Sequence, residues 1–195
     1  YIPSHKERNQ DFLAHTFLDD SGNPFGAENG DIIEKFKAIT GIEERRYAKP
    51  HQTASDLAFL AAEKAIEDAS LDPETLDYII VAHNFGDIQH GCIQTDILPS
   101  LATRVKHNLQ IKNPNCVAYD LIFGCPGWVE GVIQAQAFIK SGMAKRCMVI
   151  GADTLSRIAD QNDRDAMIFA DGAGATIIEE TEEAGGLLSH CSQTY

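Results

Sequence analysis

No stretch of this sequence approaches the roughly 18 uninterrupted apolar residues that a bilayer demands, so no membrane-spanning helix is expected. The opening residues, Tyr1-Ile2-Pro3-Ser4-His5-Lys6, lack the charged-then-apolar pattern of a secretory leader. The five cysteines, at 92, 116, 125, 147 and 191, are odd in number and widely spaced, with no C-x-x-C pair and no Cys/His set at zinc spacing. That argues against a disulfide framework and against a metal site, and a reducing cytoplasm fits best. Basic residues are also short. Sixteen Lys and Arg face 29 Asp and Glu, a formal charge of −13, and so acidic a surface does not neutralise phosphates, which argues against a nucleic-acid partner. Small basic clusters at Arg45-Arg46, Arg104/Lys106 and Lys140/Lys145-Arg146 read first as solvated surface.

What is present suffices for one good core: 195 residues, 44% of them hydrophobic. Residues 1–31 are rich in turn formers, notably Asp19-Asp20-Ser-Gly-Asn-Pro-Phe-Gly26, and read as a loop between two short helical pieces. From Thr53 to Ser70 the apolar positions Ala54, Leu57, Ala58, Ala61, Ala62, Ala65, Ile66 and Ala69 recur at helical spacing, predicting an alanine-rich amphipathic helix. The run 76–84, Leu-Asp-Tyr-Ile-Ile-Val-Ala-His-Asn, reads as a strand buried on both faces. A helix at 98–109, a strand at 116–122, a helix at 126–141, a strand at 147–151, a glycine turn and a strand at 175–179 follow. Strands alternating with amphipathic helices predict an α/β fold: a mixed, mostly parallel sheet covered by helices on both faces.

Cys125 is the first candidate for chemistry. It lies in Phe123-Gly124-Cys125-Pro126-Gly127-Trp128, where an apolar run passes through glycine into a proline-opened helix. Proline favours the first helical position, which puts Cys125 at the helix N-terminus, where free N–H groups and the helix dipole stabilise a thiolate. The local sequence fits a buried core cysteine equally well. Asp171-Gly172-Ala173-Gly174-Ala175 resembles a nucleotide loop, but the following Thr-Ile-Ile is a strand and a phosphate-binding loop must open a helix, so that reading is rejected. His83 and His90 are candidate bases or, more commonly for lone histidines, hydrogen-bonded structural residues. The stretch 160–165 reads as a charged solvated turn.

Taken in order, several segments resemble the amino-terminal half of a β-ketoacyl-acyl-carrier-protein synthase III, a condensing enzyme of the thiolase superfamily. They are Ile39-Thr-Gly-Ile-Glu-Glu-Arg-Arg-Tyr47, the Thr53–Ser70 helix, Tyr119-Asp-Leu-Ile-Phe-Gly-Cys-Pro-Gly-Trp128, Ser141-Gly-Met-Ala-Lys145, Val149-Ile-Gly-Ala-Asp153, Asp163-Arg164 and Phe169-Ala-Asp-Gly-Ala-Gly-Ala175. The resemblance implies a thiolase-like fold, with residues 1–195 as an amino-terminal half-domain whose carboxyl-terminal half is absent. It implies a homodimer with no resident cofactor, since the coenzyme A thioester is a substrate. Cys125 falls on the position that carries the acyl group, taken from acyl-CoA and then condensed with malonyl-acyl-carrier protein in fatty acid biosynthesis. The family's His and Asn for the enolate step would lie in the other half, so the fragment alone is expected to be inactive.

Further expectations come from the same resemblance. Arg164, Leu98, Trp128 and Phe169 fall at substrate-binding positions, Leu98 on the loop that enters a neighbour's acyl pocket. A leucine there leaves room for longer or branched chains, while Trp128 reshapes or shortens the pocket. The family's tryptophan and arginine that grip the adenine of coenzyme A align with Lys35 and Ile39, so the stacking half of that grip is missing. The chain also starts after the family's first strand, expected to be central to the sheet. Alternatives within the superfamily are a starter-condensing enzyme for a specialised metabolite or a hydroxymethylglutaryl-CoA-synthase-like enzyme. A non-catalytic partner subunit would not need the thiol, and a redox pair of Cys125 with Cys116 is disfavoured by the strand between them.

Overall fold

The apolar runs of the sequence become a four-stranded sheet. The structure, a computed structural model, describes residues 1–183 and 185–194. In chain order the elements are β1 (His5–Arg8), a 3-10 turn, α1 (Asn29–Thr40), β2 (Glu44–Tyr47), α2 (Ala54–Ala69), β3 (Tyr78–His83), β4 (Asp87–Ile88), β5 (Thr95–Asp96), α3 (Leu101–Asn108), β6 (Val117–Ile122), α4 (Gly127–Lys140), β7 (Arg146–Thr154), a 3-10 helix at Arg164–Ile168 and β8 (Asp171–Glu179). The sheet runs β6-β3-β7-β8. β3 is parallel to both β6 and β7, and β8 is antiparallel to β7.

Period-two alternation sorts the side chains of the central strands onto two faces. Ile79 and Val81 of β3 with Met148, Ile150 and Ala152 of β7 face α2 and α3, packing against Ala54, Ala58, Ala62, Leu101 and Val105. Ile80, Cys147 and Val149 face the other way, against Ala135 and its neighbours on α4. Helices thus cover both faces, as the alternating pattern predicts. The alanine row of α2 lets that helix lie close to the sheet. Its N-terminus is closed by a reciprocal box in which the Asp56 carboxylate accepts from the Thr53 N–H at 2.8 Å.

A smaller cluster of Phe12, Phe17, Ile32, Ile33, Phe36 and Met167 joins α1 to the 3-10 helix. Its polar centre is Arg45, which is buried. Its guanidinium lies over the Phe12 and Phe36 rings and donates to Asn9 Oδ1 and to the Met167 and Glu7 carbonyls. Burial lowers its pKa. The other basic clusters are also tied down. Arg104 pairs with Asp87 and Asp96, Lys106 donates to the Asn113 and Cys116 carbonyls, and Arg146 meets Glu179. The solvated-surface reading is therefore corrected at Arg45, Arg104 and Lys106, whose cations serve the fold, while the Arg146–Glu179 pair lies at the exposed surface.

Other parts of the fold depart from the sequence reading. β1, β2 and the β4–β5 hairpin have no counterpart in it. The expected glycine turn at 171–174 is strand, held by pairing Gly151↔Gly174, Ala152↔Ala173 and Asp153↔Gly172. α4 begins at Gly127, with Pro126 as its cap residue, one position later than expected. β3 pairs directly with β7, so within the described sheet no gap separates the two central strands. At the outer edge of β8, Tyr1 exchanges both backbone hydrogen bonds with Ala173. Among the described residues no helix is long and apolar enough to cross a membrane.

Candidate active site

β6 delivers the chain to Gly124, whose φ of +85° is left-handed and suits glycine. The Gly127 N–H then donates to the Gly124 carbonyl at 2.9 Å, closing a turn that presents Cys125 outward, exposed. The thiol therefore stands just before the cap of α4 rather than on it. On one flank, the Tyr119 hydroxyl of β6 donates to Gln134 of α4 at 2.8 Å, fixing strand and helix on either side of the turn.

The helix is seated by small residues four apart. A Cβ at Gly127 would lie 3.0 Å from Ala82 Cβ, and one at Gly131 only 2.7 Å from Val149 Cγ1. Gly127, Gly131 and Ala135 thus let α4 lie directly on β3 and β7. This approach carries Trp128 over β7, where a Cβ on Gly151 would lie 3.3 Å from Trp128 Cβ.

The result is a cleft of about 250 Å³ bounded by Ala82, Cys125, Trp128, Gly151, Asp153 and the start of β8. It lies past the carboxyl ends of β3 and β7, where parallel sheets bind ligands. Its one carboxylate, Asp153, was not singled out from sequence. Asp153 Oδ1 and Oδ2 accept from the Asn84 backbone and side-chain N–H groups at 3.0 and 2.7 Å. Burial raises the Asp153 pKa against the opposing pull of those two hydrogen bonds. Its position at the end of β7, beyond Gly151, was the available signal.

His83 proves structural. It is buried, its Nδ1 accepts from the Gly86 N–H at 3.0 Å, and its Nε2 donates to Asp120 at 3.0 Å. Asp120 also accepts from the Leu101 and Ala102 N–H groups, capping α3. His90 lies in a separate groove with Tyr47 and Arg157. Cys116 is buried and its thiol is pushed up by that burial, as befits a core cysteine.

The remaining sequence candidates divide. Arg164 lines a second cleft of about 450 Å³ between α1 and the 3-10 helix, together with Lys35 and Ile39, and its guanidinium lies 4.6 Å from the Phe25 ring centroid. That helix ends at Ile168 and is capped by Phe169, next to Ala170 on the wall of the Cys125 cleft, so one short segment connects the two sites. Leu98 lines neither cleft and is 79% exposed. Among the described residues, no group of three His, Cys, Asp or Glu side chains is placed to hold a metal.

A profile of 3-oxoacyl-[acyl-carrier-protein] synthase III matches residues 119–195, which include Cys125 and, Ala82 apart, the residues that line its cleft. The β-ketoacyl-[acyl-carrier-protein] synthase III of Caldanaerobacter subterraneus subsp. tengcongensis is 43% identical over 150 residues, covering 76% of this chain and 42% of that protein. The chain is related to the β-ketoacyl-[acyl-carrier-protein] synthases III. Synthase III 1 of Vibrio vulnificus is likewise 43% identical, over 154 residues, with 78% of this chain and 46% of that protein covered. The crystal structure of the Aquifex aeolicus synthase III superposes with a TM-score of 0.75 at 33% identity, covering 94% of this chain and 52% of that one. The architecture is the thiolase-like α/β fold of this synthase III group. The chain spans less than half the length of the two curated relatives.

Proposed function

We propose that this chain carries the nucleophile of a condensing acyltransferase in fatty acid biosynthesis. The Cys125 thiolate attacks the thioester carbonyl of an acyl-CoA, the coenzyme A thiol leaves, and the acyl group rests on sulfur. Malonyl-acyl-carrier protein then loses CO₂; the resulting enolate attacks the acyl carbonyl, and the Cys125 thiolate departs as the 3-oxoacyl product forms. The observation that carries this reading is the exposed Cys125 on a tight glycine turn, opening into a cleft at the carboxyl ends of the parallel strands. The backbone N–H of Cys125 is assigned to the oxyanion hole. No resident cofactor is invoked, and a cytoplasmic setting accords with five free thiols.

The proposal includes a homodimer. Among the described residues β6 is an unpaired sheet edge on which Val117, Ile122 and the following Phe123 are exposed, a surface suited to its own twin. In that arrangement Leu98, exposed and lining neither cleft of its own chain, serves the acyl cleft of the second copy, while Trp128 lines the near side and Phe169 adjoins it through Ala170. A specialised starter-condensing role is the second reading. It is favoured by Lys35 standing where the family has an aromatic and by Arg164 already stacked on Phe25. The test is product formation at full length: acyl-CoA with malonyl-acyl-carrier protein yields 3-oxoacyl-acyl-carrier protein by mass spectrometry, and Cys125→Ala yields none. Leu98→Phe should shift donor use toward shorter chains; an unchanged donor profile counts against Leu98 as a pocket residue.

A further inference from the structure

The segment between β3 and α3 folds back on itself as a short hairpin, and its two strands set like charges against each other. Asp87 of β4 pairs directly with Asp96 of β5. Opposed carboxylates destabilise a strand pair unless a cation lies between them. Arg104 of α3 supplies it, with Nη1 donating to Asp87 at 2.7 Å and Nη2 to Asp96 at 2.8 Å, while Nε reaches the Pro99 carbonyl at 2.9 Å. One guanidinium therefore holds the outgoing strand, the returning strand and the exit of the hairpin. A planar fork of donors can do this; a lysine ammonium cannot reproduce the geometry.

Two further features fix the hairpin. Asp87, buried, also accepts from the Ser55 N–H and Oγ at 2.7 and 2.6 Å, tying it to the start of α2. At Gly86, with φ of +75°, a Cβ would lie 2.5 Å from Ile97 Cγ2 and 2.8 Å from the Asp96 carbonyl, so the returning limb passes directly against glycine. Leu98 sits between Asp96 and Pro99, two of the three points that Arg104 holds. Ile93, Ile97 and Leu98 project from this pinned unit as exposed apolar side chains.

We propose that Arg104 is a positioning residue for acyl-chain selection, holding the 87–99 hairpin so that Leu98 is presented at one fixed place. The inference rests on the reading above that Leu98 serves an acyl cleft. Arg104 touches neither cleft and acts only through the hairpin.

The test uses the full-length protein with Arg104→Gln, Asp96→Asn and the double variant. Two readouts are taken: amide hydrogen exchange over 88–97, and the ratio of kcat/KM for a long-chain over a short-chain acyl-CoA. In Arg104→Gln, exchange accelerates at least tenfold and the ratio changes at least fivefold, while kcat on the best donor stays within twofold. Adding Asp96→Asn removes the opposed charge and restores part of both. If Arg104→Gln fails to fold, Asp96→Asn alone, at an exposed position, must still move both readouts in the same direction. Unchanged exchange overturns the clamp, and faster exchange with an unchanged ratio overturns the selection role. If the wild-type protein forms no acyl adduct, the functional reading falls and the selection claim with it, whereas the exchange measurement still decides whether Arg104 clamps the hairpin.

Discussion

Replacing Gly131 by alanine tests how Cys125 is held in place. In an isolated helix the change is favourable by about 1 kcal/mol, because glycine forfeits backbone entropy. Here the new Cβ would meet Val149 Cγ1 at 2.7 Å and Ile80 Cγ2 at 3.6 Å. Val149 is fully buried in β7 and its β-branched side chain cannot swing aside, so α4 must move outward by about 1 Å. Overpacking of this kind costs about 1–3 kcal/mol, which outweighs the propensity gain and leaves a net loss of about 0–2 kcal/mol. Val149→Ala alone removes about two methyl equivalents and costs about 2 kcal/mol. Together the two changes fit each other, and the double variant should be more stable than the sum of the singles predicts by about 1–2 kcal/mol. Urea unfolding of all four proteins gives the cycle, and the rate of Cys125 alkylation by iodoacetamide reports the turn. Gly131→Ala should alter that rate and the double variant should return it toward the parent. Additivity within about 0.5 kcal/mol, or a Gly131→Ala protein stabilised by the full helix-propensity gain, would refute the close-packing argument.

Other consequences are open to measurement. Thiol labelling at pH 8 should modify Cys92, Cys125 and Cys191 and spare Cys116 and Cys147, because burial raises both thiols, Cys147 to about 12; rapid labelling of Cys147 in the folded protein would contradict its place in the core. Asp153 has a folded pKa raised by burial, so its destabilising effect is absent below the unfolded carboxylate value and grows as pH rises through the folded value. Asp153→Asn should therefore gain stability relative to the parent between acid and neutral pH, read from paired thermal unfolding curves, and a gain that shrinks with rising pH would reverse the assignment. Ile122→Glu, on the free edge of β6, should convert a dimer to monomers in size-exclusion chromatography with light scattering; an unchanged dimer would place the interface elsewhere.

The parts of this chain that could be read directly are those whose periodicity is local. The buried runs of β3 and β7, the alanine row of α2 and the glycine–cysteine–proline entry to α4 each carry their signal within a few residues. The misses share a different cause. β1 exists because His5 to Arg8 pair with Glu44 to Tyr47, far along the chain. The first residues of β8 contain two glycines, poor strand formers, yet they extend because the end of β7 lies alongside. Asp153 needs Asn84, and Arg104 needs both Asp87 and Asp96, so neither role can be seen from neighbours in sequence. Leu98 rests on resemblance alone: it is exposed, lines neither cleft, and follows a hairpin that local patterning does not announce.

The most direct test of the account is the intact mass of the full-length protein after incubation with a mixture of acyl-CoA donors, beside a Cys125→Ala control. The account predicts one acyl adduct per chain, labile to hydroxylamine as a thioester is, and absent from the control. An adduct that persists in Cys125→Ala, or none in a protein whose Cys125 resists iodoacetamide, would contradict it.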